Sequence, residues 1–170
     1  MLSTDAEQSA LRAAAPGAGH SQYLTFALGA DSCAAAIASI REILEVPSLT
    51  RVPLVPGFVL GVINLRGAVV PVIDLAARLG LGATSIGRRT CVAIVECGAE
   101  RGAQTLGVII DSVHAILEIA DADIGPAPGL GTRIDPAFLR GVARLPGGLQ
   151  VVLDLGRVLA QDELAQLVAA

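Results

Sequence analysis

The chain has 170 residues, 53% of them hydrophobic, and a net charge of −4, which suits one domain or two small ones around a sizeable core. An isoelectric point near 5.1 excludes a nucleic-acid binder, which wants clustered basic residues. Four aromatic side chains, Tyr23, Phe26, Phe58 and Phe138, give no platform for base stacking. All twelve basic residues are Arg, so Schiff-base chemistry and a P-loop lysine are absent as well.

Residues 1–20, rich in Ala and small polar types, read as a flexible N-terminal tail that includes His20 and lacks the pattern of a signal peptide. Then come short β-rich runs. "YLTFAL" (Tyr23 to Leu28) is the first, and "GVINL" and "AVVPVIDL" flank the turn signal Arg66-Gly67. Pro71 cannot donate to a ladder, so its strand is an edge or is bulged there. Asp74 is placed to cap the short helix "LAARLG". "GLGATSIG" (Gly80 to Gly87) follows that helix as a linker; it has neither the spacing nor the lysine of a phosphate loop. "TCVAIVEC", "SVHAILEI", "GVARL" and "LQVVLDL" continue the strands, Asp154 repeats the cap, and "DELAQLV" reads as a terminal helix over about 161–169. Gly, Pro or charge interrupts every apolar run before the ~18 residues of a membrane span, so no direct membrane insertion is expected.

The second half repeats the first. At an offset of 80, Pro56, Phe58, Gly61, Val62, Leu65, Gly67, Val72, Asp74, Leu75 and Leu79 return as Pro136, Phe138, Gly141, Val142, Leu145, Gly147, Val152, Asp154, Leu155 and Leu159. "SIREILEV" (Ser39 to Val46) matches "SVHAILEI" (Ser112 to Ile119) at an offset of 73. Short strands in two copies predict a mainly β protein of two small barrels that share an apolar interface. Barrel one spans about 21–85 and barrel two about 86–160.

No active site emerges. His114 aligns with Arg41 and so marks an outward polar position on a strand, and no nucleophile motif accompanies it. Cys33, Cys91 and Cys97 form no CxxC pair, so they read as reduced, mostly buried small residues rather than zinc ligands. No catalytic residue, metal or cofactor is expected. A binding module is the stronger class, with a small hydrolase or ligand-binding double barrel using His114 as the alternative. What one copy alone carries is a candidate for function. Glu42 has Ala115 as its counterpart and Arg66 has Pro146, so barrel one alone holds an opposite-charge pair able to form a salt bridge.

"IREILEVPSLTRVP", "GFVLGVINLRGAVVPVIDLAARLG" and "GVIIDSVHAILEI" together resemble the CheW family of chemotaxis coupling proteins, from about Tyr23 to Val168. The resemblance implies two five-stranded SH3-like barrels with short helices and no enzymatic activity. It implies a cytoplasmic adaptor that reaches membrane receptor arrays only through partners: chemoreceptor cytoplasmic tips and the regulatory domain of a CheA-type histidine kinase. The alternative is the same scaffold in another chemosensory pathway, such as surface sensing or pilus motility. By the same resemblance Arg66 and Glu42 are coupling residues. Ile37, Ile40, Val92, Gly107 and Val113 match an apolar groove that takes a receptor helix. Leu130, in "PAPGLG", stands where the family often has an aromatic and uses an array contact. An aromatic common in the family is also absent at Cys33 and Ala34.

Overall fold

The computed structural model describes residues 19–53, 57–97, 104–126 and 134–159. The expected tail up to residue 18, Leu130 and the expected helix at 161–169 lie outside the described residues. The first copy forms β1 (His20–Leu28), β2 (Asp31–Ala36), β3 (Ile40–Glu45), β4 (Val59–Leu65), β5 (Ala68–Asp74) and α1 (Leu75–Arg78). The second forms β6 (Cys91–Cys97), β7 (Gln104–Ile110), β8 (Ser112–Ala120), β9 (Ile124–Gly125), β10 (Leu139–Leu145), β11 (Gly148–Leu153) and α2 (Leu155–Leu159). His20 belongs to β1, not to a tail, because it pairs with Ala120 of β8.

Among the described residues the strands make a six-stranded sheet, β8-β1-β2-β11-β10-β9, and a five-stranded one, β3-β6-β7-β5-β4. Neither closes into a full hydrogen-bonded barrel. The architecture is mainly β with two SH3-like units, yet the sheets do not divide the chain at residue 85. Each copy lends its first hairpin to the other. β1–β2 completes the sheet of β8–β11, and β6–β7 completes the sheet of β3–β5. The joins correspond: β1 pairs with β8 as β6 pairs with β3, both antiparallel, and β2 pairs with β11 as β7 pairs with β5, both parallel.

Strand alternation sorts the side chains into three cores. On β6, Val92 and Ile94 face a small core with Ile63, Val70, Val72 and Ile109, all from the five-stranded sheet. Ala93 and Val95 face the opposite way, into the largest core, which joins the two sheets. That core also receives Leu24, Phe26 and Leu28 from β1 and Leu106, Val108 and Ile110 from β7. It is the shared apolar interface. The six-stranded sheet has its own small core of Tyr23, Ala34, Ile119, Ala143 and Val152. Tyr23, fully buried, is the largest side chain of this core, which also holds Ala34. Cys33 itself lies in the shared core.

Burial, with a smaller contribution from Asp31, pushes the Cys33 thiol up from 9.0 to about 12. The folded protein therefore holds a proton there that the unfolded chain releases. Stability is lost as pH rises from about 9 toward about 12, because the unfolded state binds fewer protons across that window. Cys33 is expected to resist iodoacetamide at about pH 8 until denaturant is added, as followed by mass spectrometry.

Two repeated glycines have one structural cause. A Cβ on Gly61 would collide with the backbone carbonyl of Thr50, which bridges Val62. A Cβ on Gly141 would collide with the carbonyl of Gly125, where β9 pairs with β10. In each unit a short incoming segment lies against the backbone, and only glycine leaves room. Gly61 also has φ +151°. Gly61→Ala and Gly141→Ala are each expected to lower unfolding free energy by about 2–3 kcal/mol, measured by denaturant titration.

The predicted caps are present. Asp74 accepts from the Ala77 N–H at 3.3 Å, and Asp154 from the Arg157 N–H at 3.2 Å. Asp74 is almost fully buried and also accepts from the N–H and hydroxyl of Thr84, both at 2.7 Å. The segment read as a linker is thus tied down at Thr84. At Pro71 the ladder needs no donor, since Val62 opposite bonds through its own N–H and C=O to Thr50, and pairing of β5 with β7 covers only Val72 to Asp74.

Candidate functional site: an ion pair on one unit

Glu42 lies on β3, where the register with β6 shifts between Ile40 and Glu42. The bulge sets alternation aside: Ile40 and Ile43, three apart, both enter the shared core, while Arg41 and Glu42 between them do not. Arg66 sits in the two-residue turn between β4 and β5 with φ +51°, followed by Gly67 at φ +88°. This is the left-handed turn that matches strand twist, and an arginine in its first position is unusual. The Asn64 carboxamide oxygen accepts from the Gly67 N–H at 2.9 Å and holds the turn. Pro146, the counterpart in the second unit, is locked near φ −65° and cannot adopt that conformation. The two copies differ here in backbone as well as in charge.

The pair is bidentate. Arg66 donates from Nη1 to Oε1 and from Nη2 to Oε2 of Glu42, each at 2.7 Å. The Arg66 side chain is 70% exposed and that of Glu42 only 12%. The hydrogen bonds and charge of Glu42 raise the Arg66 pKa further above its ordinary value, so the guanidinium stays charged at every relevant pH. A pair this exposed contributes geometry more than stability. Arg41 pairs with Glu96 across β3 and β6 at 2.9 Å, so a second ion pair lies next to the first.

The expected apolar groove is not one exposed surface. Val92 is fully buried in the small core of the five-stranded sheet, and Gly107 is buried with its α-carbon against Val72 and Val92. Ile40 is buried on the other face of that sheet, in the shared core. Ile37 and Val113 are half-buried and pack against the same shared core from outside. Ile40 pairs opposite Val95, whose side chain enters the shared core, whereas Val92 three residues earlier on β6 faces the small core of the five-stranded sheet, so the two lie on opposite faces. His114 is exposed on β8, as its alignment with Arg41 predicted.

One feature escaped sequence reasoning. Arg78 is stacked between Phe58 and Phe138, with 5.2 and 5.0 Å from guanidinium carbon to ring centroids, and its Nε donates to the Val158 carbonyl at 3.2 Å. The two phenylalanines are repeat equivalents, and so are Arg78 and Val158. The arginine thus joins the two copies where their corresponding ends meet. The signal was available, since Phe58 and Phe138 recur while only the first copy carries the arginine.

The site is thus an exposed, bidentate ion pair carried by one unit of a duplicated, interlocked β scaffold. Residues 22–163 match the CheW-like domain family. The chain is similar to the chemotaxis protein CheW of Rhizobium meliloti, 33% identical over 145 residues that cover 85% of this chain and 91% of the relative. It is also similar to protein FrzA of Myxococcus xanthus, 34% identical over 114 residues, 67% of this chain and 68% of the relative. Among solved structures it resembles the scaffolding protein TtCheW of Thermoanaerobacter tengcongensis, with TM-score 0.75, 30% identity and coverage of 89% of this chain and 93% of that one. The chain belongs to the CheW-like family.

Proposed function

We propose that the protein is a non-enzymatic adaptor of chemotaxis signalling that couples chemoreceptor cytoplasmic tips to the regulatory domain of a CheA-type histidine kinase. The observation that carries the reading is the bidentate Glu42–Arg66 pair, built on one unit and absent from its duplicate. Elements of the fold recur at Gly61/Gly141 and Asp74/Asp154, and the one-copy Arg78 is enclosed between two phenylalanine rings. Among the described residues the Glu42–Arg66 pair, in contrast, touches neither ring nor core and lies at the surface. An element of one copy that is also exposed and set in a costly turn is better explained by a partner.

In this reading the adaptor works in the cytoplasm and joins receptor arrays through its partners. Among the described residues no helix is long and apolar enough to cross a membrane. Ile37 and Val113, half-buried beside the shared core, are the residues of the expected groove best placed to meet a receptor helix. Ile40, Val92 and Gly107 are buried within the five-stranded sheet. Leu130 is assigned a further array contact by family resemblance alone. The similarity to FrzA supports a second reading, in which the same scaffold serves another chemosensory pathway with different partners.

The test is a calorimetric titration of the purified protein with a receptor-tip fragment and, separately, with a kinase regulatory domain. Binding to both supports the reading. Binding to neither, across receptors and kinases of the pathways its host encodes, would overturn it.

A further inference from the structure

A second surface peculiar to the first unit lies at its edge strand β4. Leu49, Arg51, Gly57, Val59, Leu60 and Ile86 line a shallow groove of about 300 Å³. Val59 is buried, and Leu49 and Leu60 pack on the small core of the five-stranded sheet, so the floor is apolar and firmly backed. Ile86 reaches the groove from the segment between α1 and β6, which is pinned on either side of it. Before it, the buried Asp74 carboxylate accepts from the N–H and hydroxyl of Thr84, both at 2.7 Å. After it, the Thr90 hydroxyl oxygen accepts from the Gly87 N–H at 2.8 Å. Ile86 is thereby held 53% exposed, and it carries the apolar floor out to the surface.

The charge around this groove has one sign. Arg51 lines it, no described lining residue is acidic, and Arg88 and Arg89 follow Ile86, both exposed. Three residues of chain span at most about 11 Å, so both long side chains can reach the rim. Among the described residues Arg51, Arg88 and Arg89 form no ion pair, whereas Arg41, Arg66 and Arg157 each do. In a chain of net charge −4, three unneutralised cations beside an apolar groove reverse the general field. The duplicate lacks the feature. Arg140 stands at the repeat position of Leu60, and Pro126 at that of Arg51, since Gly125 pairs with Val142 as Thr50 does with Val62.

A concave floor receives individual side chains, which a peptide offers and a bilayer surface does not. We infer that this groove docks an acidic amphipathic peptide segment of another protein. Its aliphatic side chains lie on Leu49, Leu60 and Ile86, and its carboxylates meet Arg51, Arg88 and Arg89. The site shares no residue with the Glu42–Arg66 pair and does not depend on the coupling reading.

The probe is a phage-displayed library of random peptides about twelve residues long, selected on the full-length protein and counter-selected on its Ile86→Asp/Arg88→Glu variant. Thermal melting checks that each variant is folded, as expected for changes at exposed positions. Enriched peptides should combine acidic residues with an aliphatic pair. A synthetic copy of the most enriched one should bind wild type and lose at least about tenfold with Ile86→Asp and with Arg51→Glu. Replacing its carboxylates by amides should cost a similar factor, and raising NaCl from about 50 to about 200 mM should weaken it severalfold. No enrichment, enriched peptides without acidic residues, or binding indifferent to Ile86→Asp and Arg51→Glu overturns the inference. Two other outcomes overturn it by assigning the groove elsewhere. Binding to phosphatidylglycerol vesicles that both substitutions abolish would make it a membrane contact. Self-association that Ile86→Asp abolishes, followed by light scattering, would give it to a second copy.

Discussion

A folded Arg66→Ala variant is expected to lose at least about tenfold in affinity for one proposed partner while its melting temperature stays within about 3 °C of wild type. The two parts of this result separate a contact residue from a structural one. Arg66 is exposed and its ion pair lies at the surface, so removing it leaves the three cores untouched. The partner, in contrast, loses a preorganised fork. Glu42→Ala should weaken the same partner, because Arg66 then swings freely. The double variant should be little worse than the worse single one, since the two side chains act as a unit. Additive losses measured by calorimetry would mean that Glu42 and Arg66 touch the partner independently, and the paired geometry would have no part in binding.

A second large effect concerns the exchanged hairpins. With a protease site inserted after Ile86, in the exposed segment between α1 and β6, the cleaved chain is expected to elute as one particle and unfold in a single transition. Each fragment holds two strands of its partner's sheet: β1–β2 lies between β8 and β11, and β6–β7 between β3 and β5. Separation would break both sheets and open the shared core together. Deleting residues 1–36 should leave no cooperative fold at all, because it removes the pairing partners of β8 and β11 along with Tyr23, the largest side chain of the second small core. Two successive barrels that merely touch would behave differently, with two transitions, or a C-terminal fragment that keeps its sheet. Circular dichroism of the cleaved and truncated proteins distinguishes these outcomes.

Much of this was legible in the sequence, and the limits have physical causes. The repeat, the strands, both Asp caps and the shared interface follow from local pattern. The exchange does not. β1–β2 and β6–β7 carry apolar residues on both faces, so their alternation fits either sheet, and the choice is made by contacts distant along the chain. The ion pair was legible as a difference between copies, since Glu42 faces Ala115 and Arg66 faces Pro146 in the alignment. Its bidentate form was not, because it needs the bulge at Arg41 and the left-handed turn at Arg66. The groove residues carry no local signal of their own beyond the family resemblance. Period-two alternation along β6 separates Val92 from Ala93 and Val95, but setting Val92 apart from Ile40 needs the pairing of Ile40 with Val95, which joins residues distant along the chain.

The central claim, that this protein places a kinase under receptor control, is tested most directly by reconstitution. Receptor-bearing vesicles and a CheA-type kinase are mixed with and without the protein, and kinase autophosphorylation is followed on addition of receptor ligand. The account predicts that kinase activity becomes ligand-sensitive only when the protein is present, and that folded Arg66→Ala fails to confer the response. Ligand control that is unchanged by adding the protein, with matched receptors and kinase, would contradict it.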